Sequence, residues 1–304
     1  MVRRRALRVA GLVVLGANAA LTVGLGGVYV ETGSLAVGSE AVNSLADTVY
    51  SVVVVAGLYL STQPPDAEHP HGHERIEPFV SLFVAAGIFL AGGAVLWEAG
   101  RAVLAGPAGA GHGPLAVGVL VATGAVKFGL YRYCLRAGRE RNSPALVAAA
   151  LDNRNDILAA AAALAGVVGS ALGYPLSDPL AALLVGAAIV YTGVGVVRDN
   201  LGYLVGAAPP AELRGEIVDR ALAHPQVDGV HDVIAHYVGP EIDVSLHVEV
   251  AGEHTLLEAH EIETEIAASI GELAEIDDVF VHVDPKAAGE WKDGDHLDGL
   301  AGGR

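Results

Sequence analysis

The feature that most constrains this chain is a pair of acidic helical turns, each within an apolar stretch long enough to cross a bilayer. They read Asn43-x-x-x-Asp47 and Asp152-x-x-x-Asp156. Residues four apart share one face of a helix, so each pair points its oxygens the same way. A carboxylate in the hydrocarbon region costs about 2.5–3.5 kcal/mol on insertion scales. Arg154 is the only cation that we identify near them, so we predict that a divalent metal ion compensates these acids.

The surrounding sequence is organised as apolar segments of membrane-spanning length. Six of them approach or exceed the ~20 residues that a helix needs, and they cover residues 6–30, 38–61, 78–104, 115–136, 146–172 and 179–198. The loops near 31–37, 105–114 and 173–178 contain no Lys or Arg, whereas arginines flank the first segment and cluster around the fourth. This asymmetry predicts that both termini are cytoplasmic. The first segment is too long for a signal peptide, so we interpret it as a span.

The negative charge of the chain lies entirely in its last third. Residues 1–208 carry 13 Lys+Arg and 13 Asp+Glu, whereas residues 209–304 carry 5 and 22. We therefore predict a six-helix transmembrane domain at 1–208, a soluble domain at 209–285 and a disordered acidic tail at 286–304. The acidic surface argues against nucleic acid as a partner, since phosphates would be repelled. It is typical of a solvated surface adapted to high salt.

The soluble region has the pattern of a small α+β domain. We predict a helix at 211–223, strands at 227–237 and 241–251, a helix at 254–271 and a strand at 276–284. The order α-β-β-α-β is typical of an open-faced sandwich. A domain of roughly 75 residues buries only a marginal hydrophobic core, so we expect dimerisation to stabilise it.

Histidines and carboxylates alternate in the cytoplasmic loop between the second and third segments. The run contains Asp66, His69, His71, His73, Glu74 and Glu77. Such side chains suit Zn²⁺ or a similar ion, and we take Asp66, His69 and His73 as candidate ligands. A histidine-rich loop is equally typical of weak, nonspecific metal binding, so both interpretations stay open.

A third group of candidate ligands lies in the soluble domain: His231, His247, His260, His282 and Asp284. Taken singly, each histidine is typical of an ordinary core or surface residue. Their recurrence on most elements of one small domain favours a metal site. The run from His260 to Thr264 lacks the second histidine of a zinc-protease helix. No paired nucleophile and base is found either, so we do not expect an enzyme.

Five motifs in this order resemble the cation diffusion facilitator family of six-helix metal exporters with a cytoplasmic ferredoxin-like domain. They are Gly33-Ser34-Leu35-Ala36 with Asn43-Ser44-Leu45-Ala46-Asp47, the loop from His69 to Glu77, Asp152-Asn153-Arg154-Asn155-Asp156, Gly229-Val230-His231-Asp232 with Leu246-His247-Val248, and Ala259-His260-Glu261 with Val281-His282-Val283-Asp284-Pro285. The resemblance implies proton-coupled efflux of a divalent cation by alternating access in a homodimer. It also implies that Asn43, Asp47, Asp152 and Asp156 form the transport site.

One departure from the family pattern bears on the metal. Zinc exporters usually place a histidine at the position of Asp152 or Asn43, and this chain has none in either helix. An all-oxygen site is harder, which favours Mn²⁺ or Fe²⁺ with Zn²⁺ next, and resembles the manganese-type branch. The alternative is a non-transporting membrane metal sensor or scaffold that dimerises through its tail. Such a sensor would need no ligands at bilayer depth.

Overall fold

The computed structural model describes residues 2–32, 35–105, 114–174 and 176–286. The chain divides into two compact units between Leu201 and Gly202. All but the first residue of the predicted tail at 286–304 lies outside the described residues, as do Gly33 and Ser34 of the first motif.

The first unit is built from long helices. In the described ranges these are α1 (Val2–Thr32), α2 (Leu35–Ser61), α3 (Ile76–Ala105), α4 (Pro114–Glu140), α5 (Pro144–Ala171) and α6 (Ser177–Val205). Five of the six predicted segments fall within them, and the fifth, 146–172, ends one residue beyond α5. Helix α6 continues seven residues past the predicted end at residue 198, because the polar turn there presents Arg198 and Asp199 on an exposed side without breaking the helix.

Four of these helices are long and apolar enough to cross a membrane, counted over the described residues. They cover Arg5–Glu31, Glu40–Ser61, Ile76–Leu104 and Pro179–Val205. Helices α4 and α5 are of similar length and carry charged residues within their apolar stretches, among them Lys127, Asp152 and Asp156. The first unit is therefore a helical membrane domain with four candidate spans among its described residues.

A short turn joins α4 to α5. Asn142 adopts a left-handed φ of 46°, a conformation that Asn tolerates better than most residues. Ser143 Oγ then accepts a hydrogen bond from the backbone N–H of Leu146 at 3.3 Å, and Pro144 occupies the first turn of α5. Glu77 at the start of α3 is buried and accepts a hydrogen bond from the same Ser143 hydroxyl. This turn therefore fixes where α5, with its acidic residues, begins.

The second unit has the predicted order of elements. Helix α7 (Ala211–Leu222) is followed by strands β1 (Val227–Val238) and β2 (Glu241–Val250), helix α8 (Leu256–Gly271) and strand β3 (Ile276–Pro285). The sheet order is β1-β2-β3, with β1 and β2 antiparallel and β2 and β3 parallel. Helix α8 makes the crossover that a parallel pair requires. A capping box between Thr255 and Glu258 starts it.

One face of this sheet is buried and the other is open. Strand β2 alternates, so its core-facing residues pack with isoleucines of α7 and α8: Val244, Leu246, Val248, Val250, Ile217, Ile262, Ile266 and Ile270. Each such side chain contributes about 1.5–3 kcal/mol by leaving water. The intervening residues Ser245, His247 and Glu249 point to the opposite face, because successive side chains of a strand alternate. The histidines of the strands therefore meet on the open face.

Candidate metal sites

The three membrane aspartates come together in the structure. Asp47 lies on α2, and Asp152 and Asp156 lie one turn apart on α5. Ligand oxygens from the three side chains lie within 4.8 Å of one another. Asp47 is 7% exposed. Two helices that are far apart in sequence thus deliver three carboxylates to one small volume, which is the donor set of a hard cation.

A cation already lies among these carboxylates, and our sequence prediction missed it. Lys127 on α4 donates from Nζ to Asp47 Oδ2 at 2.6 Å and to Asp156 Oδ2 at 2.8 Å. The identification of Arg154 as the only nearby cation was wrong, because Arg154 donates to Thr192 Oγ1 on α6. The signal was available: Lys127 is the sole lysine of residues 1–208, and an ionisable residue inside an apolar helix marks a functional site by default.

A small cavity lies beside the carboxylates. Its volume is about 10 Å³, and its polar lining consists of Asn18, Asp47, Tyr50, Ser51, Asp152 and Asn153. Such a volume holds about one water molecule or one ion. The Nδ2 of Asn18 donates to Ser51 Oγ at 2.8 Å, and that of Asn153 donates to the Ala149 carbonyl at 2.7 Å. The Oδ1 atoms of both asparagines are buried without a hydrogen-bond partner among the described residues. The cavity thus combines carboxylates with two unused amide oxygens.

Two further polar residues of α2 lie near this site along the helix. Asn43, the predicted fourth ligand, is exposed in this structure, so it lies on α2 one turn before Asp47 but outside the buried group. Glu40 is half-buried and lies seven residues before Asp47, on the same helical face. Asn18 carried no sequence signal that distinguished it from an ordinary polar residue in a helix bundle, whereas Glu40, an acid inside the predicted apolar segment 38–61, carried the same signal as Lys127.

The loop between α2 and α3 also brings its predicted ligands together. Asp66 Oδ1 lies 3.1 Å from His69 Nδ1, and Asp66 Oδ2 lies 3.6 Å from His73 Nε2. The Asp66 carboxylate also accepts a hydrogen bond from the backbone N–H of His69 at 2.7 Å, which lowers the pKa of this carboxyl. It therefore stays ionised. Asp66 and His69 are each 51% exposed, so this is an open site on a loop.

The open face of the sheet in the second unit carries a compact group of histidines around one carboxylate. His247 pairs in register with His231 on β1 and with His282 on β3, so the three form a row across the sheet. Asp284 accepts a hydrogen bond from His247 Nδ1 at 2.9 Å if that nitrogen is protonated. Its carboxylate also lies 3.3 Å from His231 Nε2 and 3.1 Å from His282 Nε2. We name these four residues the tail cluster.

Two details bear on metal binding by the tail cluster. His231 Nε2 is buried and makes no hydrogen bond to the described residues, although an Asp284 oxygen lies 3.3 Å away. A metal ion could therefore use both atoms as ligands. A β-bulge between His231 and Ile234, with Asp232 at a φ of 48°, changes the direction of the side chains there.

His260, the remaining predicted ligand of this domain, lies apart from the tail cluster. It is on α8, is 68% exposed, and contacts Glu263 on its own helix at 3.3 Å.

Comparison with protein families settles the kind of protein. Residues 11–205 match the cation efflux transmembrane domain, and residues 209–286 match the cytoplasmic domain of cation efflux proteins. The chain belongs to the cation efflux family. The resemblance to cation diffusion facilitators is thereby confirmed, and this cation efflux protein is a membrane transporter of divalent metals, as the family is one of transporters and not of enzymes.

The relatives of this cation efflux protein include archaeal and bacterial transporters. An uncharacterised transporter of Methanocaldococcus jannaschii is 33% identical over 251 residues, which is 83% of this chain and 88% of the relative. The manganese efflux system protein MneS of Bacillus subtilis is 28% identical over 256 residues, with 83% and 86% covered. A solved MamM CTD is 32% identical, covers 25% of this chain and 95% of its own, and superimposes with a TM-score of 0.24.

Proposed function

We propose that this cation efflux protein exports a divalent metal ion from the cytoplasm, with Asp47, Asp152 and Asp156 as the carboxylate ligands of the transported ion. The observation that carries the proposal is the convergence of three carboxylates within 4.8 Å in a helical membrane domain. Acids at this depth are costly and typically mark an ion pathway. In this proposal Asn43 is the neutral fourth oxygen; its side chain is exposed in this structure, one turn before Asp47, and would have to rotate toward the acids to bind the ion.

The cycle that we propose is proton antiport by alternating access. Carboxylate ligands must be deprotonated to bind metal, so binding and release of the ion are linked to release and uptake of protons. The site would face the cytoplasm to load and the opposite side to unload, with binding shifting the balance between two arrangements. In this proposal, all six helices cross the membrane and both termini are cytoplasmic, in accordance with the arginine-free loops.

The transported ion is, in our proposal, Mn²⁺ or Fe²⁺, with Zn²⁺ next. Among the described residues, the atoms around the site that could bind a metal include carboxylate and amide oxygens. The cavity there has room for about one water molecule. Ions that accept six oxygen ligands suit such a site, whereas Zn²⁺ gains from imidazole nitrogen. The similarity to a manganese efflux protein supports the same choice.

We also propose that the chain works as a homodimer and that its cytoplasmic domain regulates it. The tail cluster would bind a metal ion on the open face of the sheet and tighten the dimer there. Tightening would favour one arrangement of the transporter through a difference in metal affinity between the two. His260, exposed on α8, would contribute only from a partner or after a rearrangement.

The decisive experiment measures Mn²⁺ flux into proteoliposomes that contain an encapsulated metal-sensitive dye. We expect Asp47→Asn and Asp156→Asn to abolish flux, because each removes an anionic ligand. Glu98→Gln is the matched control: it removes an acid of α3 that is 73% exposed and contacts only Arg101, at 4.0 Å, among the ion pairs of the described residues. Undiminished flux in the aspartate variants would reject the site, whereas an absence of flux in the parent protein would favour the non-transporting sensor alternative.

The identity of the ion is tested by competition. Parent protein and Asp152→His are compared for flux of Mn²⁺, Fe²⁺ and Zn²⁺ in the same vesicles. We expect the parent to prefer Mn²⁺ or Fe²⁺ and the histidine variant to shift toward Zn²⁺. A parent that already prefers Zn²⁺, with no shift in the variant, would refute the argument from ligand hardness.

A further inference from the structure

A buried lysine lies among the carboxylates of the membrane unit. The Lys127 side chain is 2% exposed, and its single ammonium bridges α2 and α5 through Asp47 and Asp156. A buried ion pair adds little stability over well-packed apolar side chains, and a lysine at bilayer depth is costly to insert. Structural support alone is therefore a weak explanation of its position.

The ammonium occupies the place that a bound cation would take. It contacts one oxygen of Asp47 on α2 and one oxygen of Asp156 on α5. Asp152 lines the adjacent cavity together with Asp47. A metal ion that binds all three acids must either displace the ammonium from its two oxygens or lie close beside it. Both alternatives oppose metal binding, since like charges repel strongly in a weakly polar surrounding.

We propose that Lys127 is a tethered competitor of the transported ion, a role that rests on the proposed transport function of the three aspartates. In the empty site, its ammonium compensates part of the negative charge and holds α2 and α5 together. In the loaded site, it lowers the affinity for metal and so favours release. This role requires no change in the protonation of the lysine.

The tether also gives Lys127 a part in ion selectivity. An ammonium fixed on a neighbouring helix, 2.6 and 2.8 Å from two carboxylate oxygens, contacts them without the loss of translational freedom that a dissolved cation undergoes on binding. A dissolved monovalent cation carries the same charge without that advantage, whereas a divalent ion carries twice the charge. Lys127 therefore excludes Na⁺ and K⁺ from carboxylates that would otherwise bind them, and divalent ions displace it.

The test measures Mn²⁺ binding to the purified full-length protein by equilibrium dialysis, with choline, Na⁺ or K⁺ as the salt at equal ionic strength. Every sample carries Asp66→Asn and Asp284→Asn, which remove a ligand from each of the other two candidate metal sites. We expect Lys127→Met to bind Mn²⁺ at least about tenfold more tightly in choline, to exchange it more slowly in vesicles, and to lose affinity when Na⁺ or K⁺ replaces choline. Lys127→Arg keeps the charge, so it should resemble the parent, whose binding should not distinguish the three salts.

Two outcomes separate this inference from the proposed function. If Lys127→Met binds Mn²⁺ as the parent does or more weakly while Asp47→Asn still abolishes binding, the competitor role is wrong and the transport site stands. If Asp47→Asn binds normally, the transport site itself is wrong. Should Lys127→Met fail to fold, Lys127→Gln is measured in its place, since it removes the charge and keeps a hydrogen-bond donor. Binding of Mn²⁺ by Lys127→Gln no tighter than by the parent would also overturn the competitor role.

Discussion

Asp284 is the residue on which the proposed metal binding by the tail cluster should depend most. Its carboxylate lies within 3.3 Å of a nitrogen from each of three histidines, on three different strands, and its side chain is only 11% exposed. Asp284→Asn keeps the size of the side chain and removes its charge. The three histidines would remain, so the variant isolates the contribution of one anionic ligand.

The size of the effect follows from these distances. A divalent ion at about 3–4 Å from a unit negative charge gains roughly 2–3 kcal/mol even at the dielectric constant of water, which is a lower bound for a half-buried site. Removal of that charge should therefore weaken binding by roughly 30- to 100-fold. The open side of the cluster, where His282 is 66% exposed, keeps the effect nearer this bound than the far larger values of a dry interior.

The assay is calorimetric titration of Mn²⁺ and Zn²⁺ into the isolated segment 209–304. Asp277→Asn on the same strand is the matched control, because Asp277 is exposed and lies outside the cluster. Circular dichroism confirms that both variants stay folded. Equal affinities in the parent and in Asp284→Asn would refute metal binding centred on this carboxylate. An absence of binding in the parent would remove the regulatory role and leave transport untouched.

Further predictions concern the cavity in the first unit and the hydrophobic core of the second unit. Asn18→Leu should weaken Mn²⁺ binding in dialysis by roughly tenfold, since it removes a buried amide oxygen that has no hydrogen-bond partner among the described residues. Asn43→Leu, at an exposed position, should weaken binding less, and the reverse order would show that Asn43 and not Asn18 supplies the amide ligand. Gly87→Val should reduce Mn²⁺ flux, because a Cβ there would lie 2.7 Å from the ring of Tyr50, which lines the cavity; Gly93→Val on the same helix is the control, with nothing within 4 Å of its Cβ. Ile266→Ala should destabilise the isolated C-terminal segment by about 2–5 kcal/mol in chemical denaturation, since Ile266 is 1% exposed; a loss below about 0.5 kcal/mol, typical of surface positions, would contradict the core assignment.

Much of the fold could be predicted from local patterns. Apolar runs of membrane length located every helix of the first unit, and the change of period after residue 209 located the elements of the second in the correct order. Boundaries were less well predicted. Helix α6 runs on to Val205 because a polar turn such as Arg198-Asp199-Asn200 can face outward without ending a helix. A hydropathy pattern shows where the apolar side chains lie, but it does not show where the backbone stops being helical.

The sequence by itself identified the carboxylates of the candidate membrane site and the histidines of the C-terminal domain, because spacing along a helix or strand decides which side chains share a face. It could not determine what lies opposite them. Lys127 is 80 residues from Asp47 in sequence and 2.6 Å away in space. Asn18 reaches the cavity only because α1 packs against α2. Such partners are decided by tertiary structure, since the packing of one helix on another depends on the shapes of all the side chains between them.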